Sequence, residues 1–319
     1  MTFLARAIGG CAASLVLAFA GPASAQPYPA RPVHVIVPFA TGSSIELFAR
    51  TVLEDIQKRT GATFVVESKP GALGAIGTDA VARATPDGYT IMTSSSATHS
   101  SGPQLAKTPY DARRDFTPLA SLVRFDLMLV ANATNGAKTV EQLVAEGRRK
   151  KLLFGYGSAT GQVGASAFSR AAGLETDGVS YKGQPLALND LAGGQIDFVM
   201  ADIPAVATQV RAGRLTALAV SSDRRSALFP EVRTMAEAGL KVELIGWVGL
   251  AGPAKLPPEV RAWWTRQVEL SLANPAVLER YKGMGIEPLS VSGEAFERFV
   301  LQQYDVWGRH IREAGLATQ

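Results

Sequence analysis

Three short stretches of small and hydroxylated residues carry most of the chemistry this sequence offers, and each follows an apolar, β-branched run. They are Phe39-Ala40-Thr41-Gly42-Ser43-Ser44, Ser94-Ser95-Ser96-Ala97-Thr98-His99 and Gly157-Ser158-Ala159-Thr160-Gly161-Gln162. Each reads as the loop between a buried strand and a helix. In open α/β sheets, ligands bind beyond the carboxyl ends of the strands. A helix N-terminus there adds unpaired N–H groups and a partial positive charge. Loops of this composition make a cradle for a carboxylate. Taken singly they are the N-caps and tight turns that any α/β protein needs; their recurrence in both halves of the chain argues for a shared cleft.

Further candidates sit nearby. Asp202, in Met200-Ala201-Asp202-Ile203-Pro204, ends another strand. It is either an acceptor for a ligand hydroxyl or water, or the N-cap of the helix after Pro204. Lys182, in Tyr181-Lys182-Gly183, either brings positive charge to the cleft or is solvated as most lysines are. Trp247 falls where the chain is expected to cross between halves and is a candidate cleft wall, whereas Trp263, Trp264 and Trp307 fall on helical patterns and read as packing.

Other chemistries find little support. Cys11 is the only cysteine, and it lies in the N-terminal segment, so no disulfide or thiolate chemistry is expected beyond it. The three histidines, His34, His99 and His310, have no metal-ligand spacing, and no metal or cofactor is expected. No G-x-S-x-G elbow occurs. Gly155-Tyr156-Gly157 looks like the start of a dinucleotide fingerprint, but the motif needs its third glycine where Thr160 stands. With 32 Lys and Arg against 28 Asp and Glu the formal charge is +4, and the run Arg148-Arg149-Lys150-Lys151 reads as a solvated helix end rather than a nucleic-acid patch. An enzyme reading rests only on Asp202 and His99 as an acid–base pair, with no nucleophile beside them.

The N-terminus reads as a cleavable secretory signal over 1–25. Arg6 precedes an apolar run from Ala7 to Ala20 and the small triplet Ala23-Ser24-Ala25. That run is too short to span a bilayer, so the product should be soluble and exported, beginning near Gln26. A chain of this size usually forms two cores. Apolar β-branched strings alternate with helical periodicity, which predicts an α/β fold. Ile45, Phe48, Val52, Leu53 and Ile56 recur at helical spacing up to Gly61; strands are expected at 33–39, 62–67, 89–93, 152–156, 196–200, 215–220 and 245–251. Leu119–Val123 and Leu127–Ala131 read as two strands divided by Arg124-Phe125-Asp126, where the chain crosses between lobes. The expected division is 26–125 with 246–319 as one lobe and 126–245 as the other, joined by two crossings that form a hinge.

Several short motifs then fall in a recognisable order: Tyr28 to Phe39, Glu67-Ser68-Lys69-Pro70-Gly71-Ala72, Ala84 to Thr90, Tyr181-Lys182-Gly183, Leu191 to Asp197 and Arg211 to Leu215. Together they resemble the Bug, or TctC, family of receptors for tripartite tricarboxylate transporters, over nearly the whole chain beyond the signal. The resemblance implies a type II, Venus-flytrap binding protein of the periplasm, acting as a monomer. It would close on a small organic mono- or dicarboxylate, aliphatic or aromatic, and deliver it to membrane permease subunits; a receptor that signals to a sensor partner is the related alternative. It places one ligand carboxylate on Ser95, Ser96 and Thr98 from the first lobe and Ser158, Thr160 and Gln162 from the second. Phe39, Thr41, Gly42 and Ser43 fall at the ligand's far end, with Tyr181 and Asp202 as further contacts. The first loop, Ala40 to Glu46, departs from the family's proline- and glycine-rich pattern with bulkier polar side chains, so direct hydrogen bonds are expected to replace some bridging waters.

Overall fold

The computed structural model describes residues 28–316; the signal segment lies outside the described residues. The chain begins with β1 (Val33–Val37), α1 (Ser44–Thr60), β2 (Phe64–Ser68), α2 (Ala75–Ala82), β3 (Thr90–Ser95) and α3 (Gly102–Leu105). A long strand, β4 (Phe116–Asn132), leads to α4 (Val140–Gly147), β5 (Leu152–Tyr156), α5 (Ala159–Ala171) and β6 (Thr176–Ser180). Then come α6 (Gln184–Ala192), β7 (Phe198–Asp202), α7 (Ile203–Arg211) and β8 (Leu215–Val220). The chain returns through β9 (Ile245–Pro253) to α8 (Pro258–Leu272), α9 (Pro275–Gly283), β10 (Glu287–Pro288) and α10 (Gly293–Glu313).

These strands form two lobes with the same internal order. The first runs β2-β1-β3-β9-β4, with β10 on β4; the second runs β6-β5-β7-β4-β8. In each lobe three strands are parallel, and a strand passing between lobes lies antiparallel beside them. In the first lobe that strand is β9, antiparallel to β3 and β4. In the second it is β4, antiparallel to β7 and β8. Both lobes therefore point the carboxyl ends of their parallel strands at the interlobe cleft, the position at which such sheets bind ligands.

One expectation is corrected here. Arg124-Phe125-Asp126 does not divide two strands: β4 is a single strand of 17 residues. Arg124, Phe125 and Asp126 pair with Trp247, Gly246 and Ile245 of β9, and from Leu127 onward the strand pairs with β7. The polar residues that look like a break are strand alternation, with Phe125 buried between the half-buried Arg124 and Asp126. Phe125 packs over Gly246, where a Cβ would lie 2.1 Å from its ring. Register shifts at Pro118/Ala120, Ser121/Val123 and Leu129/Val130 let so long a strand bend. Glu287 of β10 pairs with Arg124 of β4 and with Arg224 from the loop after β8.

Helical periodicity places its residues as the sequence suggests: Phe48, Val52, Leu53 and Ile56 of α1 are all buried, and Gly61 ends the helix at φ +73°. Trp264 and Trp307 pack in the interior. The Trp264 indole donates to the Tyr28 hydroxyl at 2.7 Å, and that hydroxyl donates to the Gly88 carbonyl at 2.7 Å, tying the start of the described chain to α8.

Candidate ligand-binding site

A cavity of about 240 Å³ lies between the lobes. It is smaller than the roughly 300 Å³ at which drug-sized pockets begin, so it suits a small molecule. Its wall is built where four parallel strands end and helical backbone begins.

In the first lobe, β1 leads into the loop before α1. Gly42 adopts φ +78°, which glycine permits, and its N–H donates to the Glu46 carboxylate at 2.8 Å. Glu46 is held in turn by Arg50, one turn further along. Ser43 is the N-cap position of α1, yet its hydroxyl caps nothing and is buried without a partner among the described residues. At the end of β3 the chain enters a six-residue π-helical turn, Ser96–Ser101, every residue of which is buried. Ser95 and Thr98 close its start reciprocally: the Thr98 hydroxyl accepts from the Ser95 N–H at 3.0 Å, and the Ser95 hydroxyl accepts from the Thr98 N–H at 3.3 Å.

In the second lobe, β5 is followed by Gly157, which has no room for a side chain. A Cβ there would lie 2.2 Å from backbone atoms of Gly183 and Gln184. Its N–H instead donates to the Gln184 side chain at 3.1 Å. Ser158 then caps α5 by accepting from the Gly161 N–H at 3.1 Å. At the end of β7, Asp202 caps α7 through the Ala205 N–H at 3.0 Å.

The lobes touch across the cavity. The Ser96 and Thr160 hydroxyls are 3.2 Å apart, and a Cβ on Gly183 would be 3.3 Å from that of Ala40. Phe39, Ala97 and Ala159 form an apolar cluster across the same seam.

Of the residues that the sequence assigns to ligand, the cavity is lined by Phe39, Gly42, Ser43, Ser95, Ser96, Ser158, Thr160 and Asp202. The structure places the other four elsewhere. Thr41 is exposed on its loop. Thr98 is buried, its hydroxyl engaged with the Ser95 N–H and 2.9 Å from His99 Nδ1. Gln162 opens onto a groove on another face of the second lobe, beside Tyr156, Glu175 and Asp177. Tyr181 donates to Asp190 at 2.8 Å and, with Lys182, lines a separate hollow beside Leu73. Trp247 is corrected as a cleft wall: it is 1% exposed and its ring packs on Phe296 and Phe299. Its backbone N–H, by contrast, approaches the Ser96 hydroxyl at 3.5 Å.

Sequence reasoning missed Gln184, Asn189 and Gln209, which also line the cavity. Gln209 carried a usable signal: it stands two helical turns beyond Asp202, on the same face of α7.

The electrostatics of the cavity come from backbone and one acid. Among the described residues no Lys or Arg lines it, and Asp202 is the only charged one that does. Burial pushes the Asp202 carboxyl above its ordinary value, while the Ser44 hydroxyl from the opposite lobe and the Ala205 N–H pull it back in part. His99, the partner required by an acid–base pair, does not line the cavity. It is buried edge-on to Phe116 at 4.7 Å, and burial lowers its pKa to about 3. Among the described residues no cluster of ligating side chains could hold a metal, and no helix is long and apolar enough to cross a membrane. The chemistry available is hydrogen-bond donation from hydroxyls and from the first N–H groups of the helical segments, aimed at one enclosed space.

Comparison with known proteins points the same way. Residues 48–316 match the family of tripartite tricarboxylate transporter receptors, TctC. The chain is 32% identical to the protein BugT of Bordetella pertussis over 303 residues, 93% of each chain. Among solved structures it is similar to Rpa4515 of R. palustris, determined with adipate, at 27% identity and a TM-score of 0.88 over 91% of this chain and 99% of the other. It is likewise similar to the periplasmic binding protein BugD, at 31% identity and a TM-score of 0.86 over 92% of this chain and all of that one.

Proposed function

Because the chain belongs to the TctC family of tripartite tricarboxylate transporter receptors, we propose that it is an exported, periplasmic receptor that captures a small organic carboxylate between its lobes and delivers it to membrane permease subunits. The observation that carries this reading is the convergence on one cavity of hydroxyls and helix starts from both lobes, with no cationic side chain in its lining among the described residues. Such a wall suits a carboxylate, which takes several charge-assisted hydrogen bonds from hydroxyls and N–H groups. Adipate in the similar R. palustris protein supports the ligand class.

In this reading residues 26–125 with 246–319 act as one lobe and 126–245 as the other, closing as a monomer about the two crossings. The carboxylate sits where Ser96 and Thr160 now meet, so that one ligand oxygen replaces their mutual hydrogen bond with bonds from both lobes, and Ser95 and Ser158 shape the same pocket. Thr98 acts through Ser95, holding the turn's first N–H groups in place. Phe39, Gly42 and Ser43 receive the rest of the molecule. The site binds and releases, and no reaction is assigned to it.

A thermal-shift screen of the purified protein against mono-, di- and tricarboxylates and their amides tests the reading. An acid present at 100 times its dissociation constant should add about 2.7 kcal/mol of stability, and replacing the cradled carboxylate by its amide should abolish the shift. If no acid stabilises the protein, the reading is wrong.

A further inference from the structure

The cavity wall is not uniform. The lobes face each other across it in two distinct pairs: Ser96 with Thr160, both hydroxyl donors, and Ser44 with Asp202. Between them lie apolar side chains, among them Phe125, Leu127 and Leu188. On the Asp202 side two acceptors face the cavity beside the amide of Asn189. Asp202 Oδ1 takes the Ala205 N–H and the carboxylate also accepts from the Ser44 hydroxyl, which leaves two of its roughly four lone-pair sites to accept again. Gln209, on the same face of α7, also lines the cavity, and its side-chain Oε1 is buried with no partner among the described residues. A buried acceptor left unmatched is costly, so this part of the wall is built for donors. A second ligand carboxylate placed there would meet Asp202 with no Lys or Arg among the described residues lining the cavity to offset the repulsion.

We infer, building on the carboxylate reading above, that the ligand is a carboxylate whose other end carries a nitrogen donor, an ammonium or an amide, read by Asp202 and Gln209, rather than a dicarboxylate. The ligand then spans the cavity as anion, short apolar segment and donor, matching the wall in that order. Asp202 is the residue that discriminates, because it attracts an ammonium, accepts from an amide and repels a carboxylate.

The test compares succinate, glutarate and adipate with the ω-amino and ω-amide acids of the same chain lengths, by calorimetric titration of the purified protein. The best ω-amino or ω-amide acid should bind at least about tenfold tighter than the dicarboxylate of equal length. Asp202→Asn, whose side chain caps a helix as well as aspartate does, should remove most of the preference for the ammonium while the amide keeps its affinity. Gln209→Met provides a second variant that leaves the cap untouched, and it should weaken both nitrogen-bearing acids severalfold. A dicarboxylate that binds as tightly as its nitrogen-bearing counterpart, or an ammonium preference unchanged in Asp202→Asn, overturns this inference while leaving the carboxylate reading in place. Failure of every acid to bind removes the carboxylate reading itself.

Discussion

The two lobes share one strand order yet fix their cleft loops by opposite means. After β1, the first-lobe loop is open: Gly42 has nothing within 4 Å of a would-be Cβ, and the loop is held by side chains, Glu46 on the Gly42 N–H and Arg50 on Glu46. After β5, the second-lobe turn is held by backbone contact, with Gly157 wedged against Gly183 and Gln184. The ends of β3 and β7 differ as sharply. One enters a buried turn of serine, threonine and histidine; the other ends in a cavity-lining acid. A common topology thus supplies the meeting place, and loop chemistry gives the two halves of the cavity their separate tasks.

The contrast can be broken first at Gly157. Gly157→Ala drives a methyl into backbone at 2.2 Å, so denaturant unfolding should show a loss of about 3 kcal/mol, at the upper end of overpacking costs, and ligand-induced stabilisation should vanish. A near-neutral result would show that the second-lobe turn is not fixed by close approach. Next in size is Thr160→Ala, which should cost about 1.5–3 kcal/mol of carboxylate affinity in a calorimetric titration; unchanged affinity would place the carboxylate away from the Ser96–Thr160 seam.

Acid sharpens the difference between the ends of β3 and β7. Buried neutral His99, at about 3 in the fold, binds its proton only in the unfolded chain between that value and about 6.5. Stability should therefore fall by about 1.4 kcal/mol per unit as pH drops through that window. Asp202, raised by burial, works in the other direction, its contribution being lost as pH rises above the ordinary carboxylate value. His99→Gln should flatten the slope measured by chemical unfolding at several pH values, and an unaltered slope would move its origin elsewhere. Smallest is Gly42→Ala, where only the positive φ resists: about 1 kcal/mol of stability should be lost, measured against Gly157→Ala in the same unfolding series, and an equal loss at both glycines would erase the contrast between the loops.

Much of the fold was legible because burial writes itself into periodicity. The α1 face of Phe48, Val52, Leu53 and Ile56 and the strands Leu152–Tyr156 and Leu215–Val220 follow directly from spacing. The continuity of β4 was hidden because Arg124 and Asp126 look like a break until β9 is paired beside them, and the register shifts that bend the strand leave no mark in composition. The strand-to-helix loops could be found by composition, but side-chain direction could not. Gln162 follows Thr160 by two positions, which on a helix turns it to the far side. Trp247 follows Gly246 in β9 and turns from the cleft toward Phe296 and Phe299 of α10, an orientation that strand pairing sets and hydrophobicity does not reveal. Gln184 became visible only when α6 was placed around the cavity, whereas Gln209 stood two helical turns beyond Asp202 on one face of α7.

The most direct measurement is a crystal structure of the protein with the acid that stabilises it most. The account predicts its carboxylate between the lobes, within hydrogen-bond distance of both the Ser96 and Thr160 hydroxyls, with the remainder of the molecule directed toward Asp202. A ligand bound elsewhere, or one whose carboxylate touches neither hydroxyl, would contradict it.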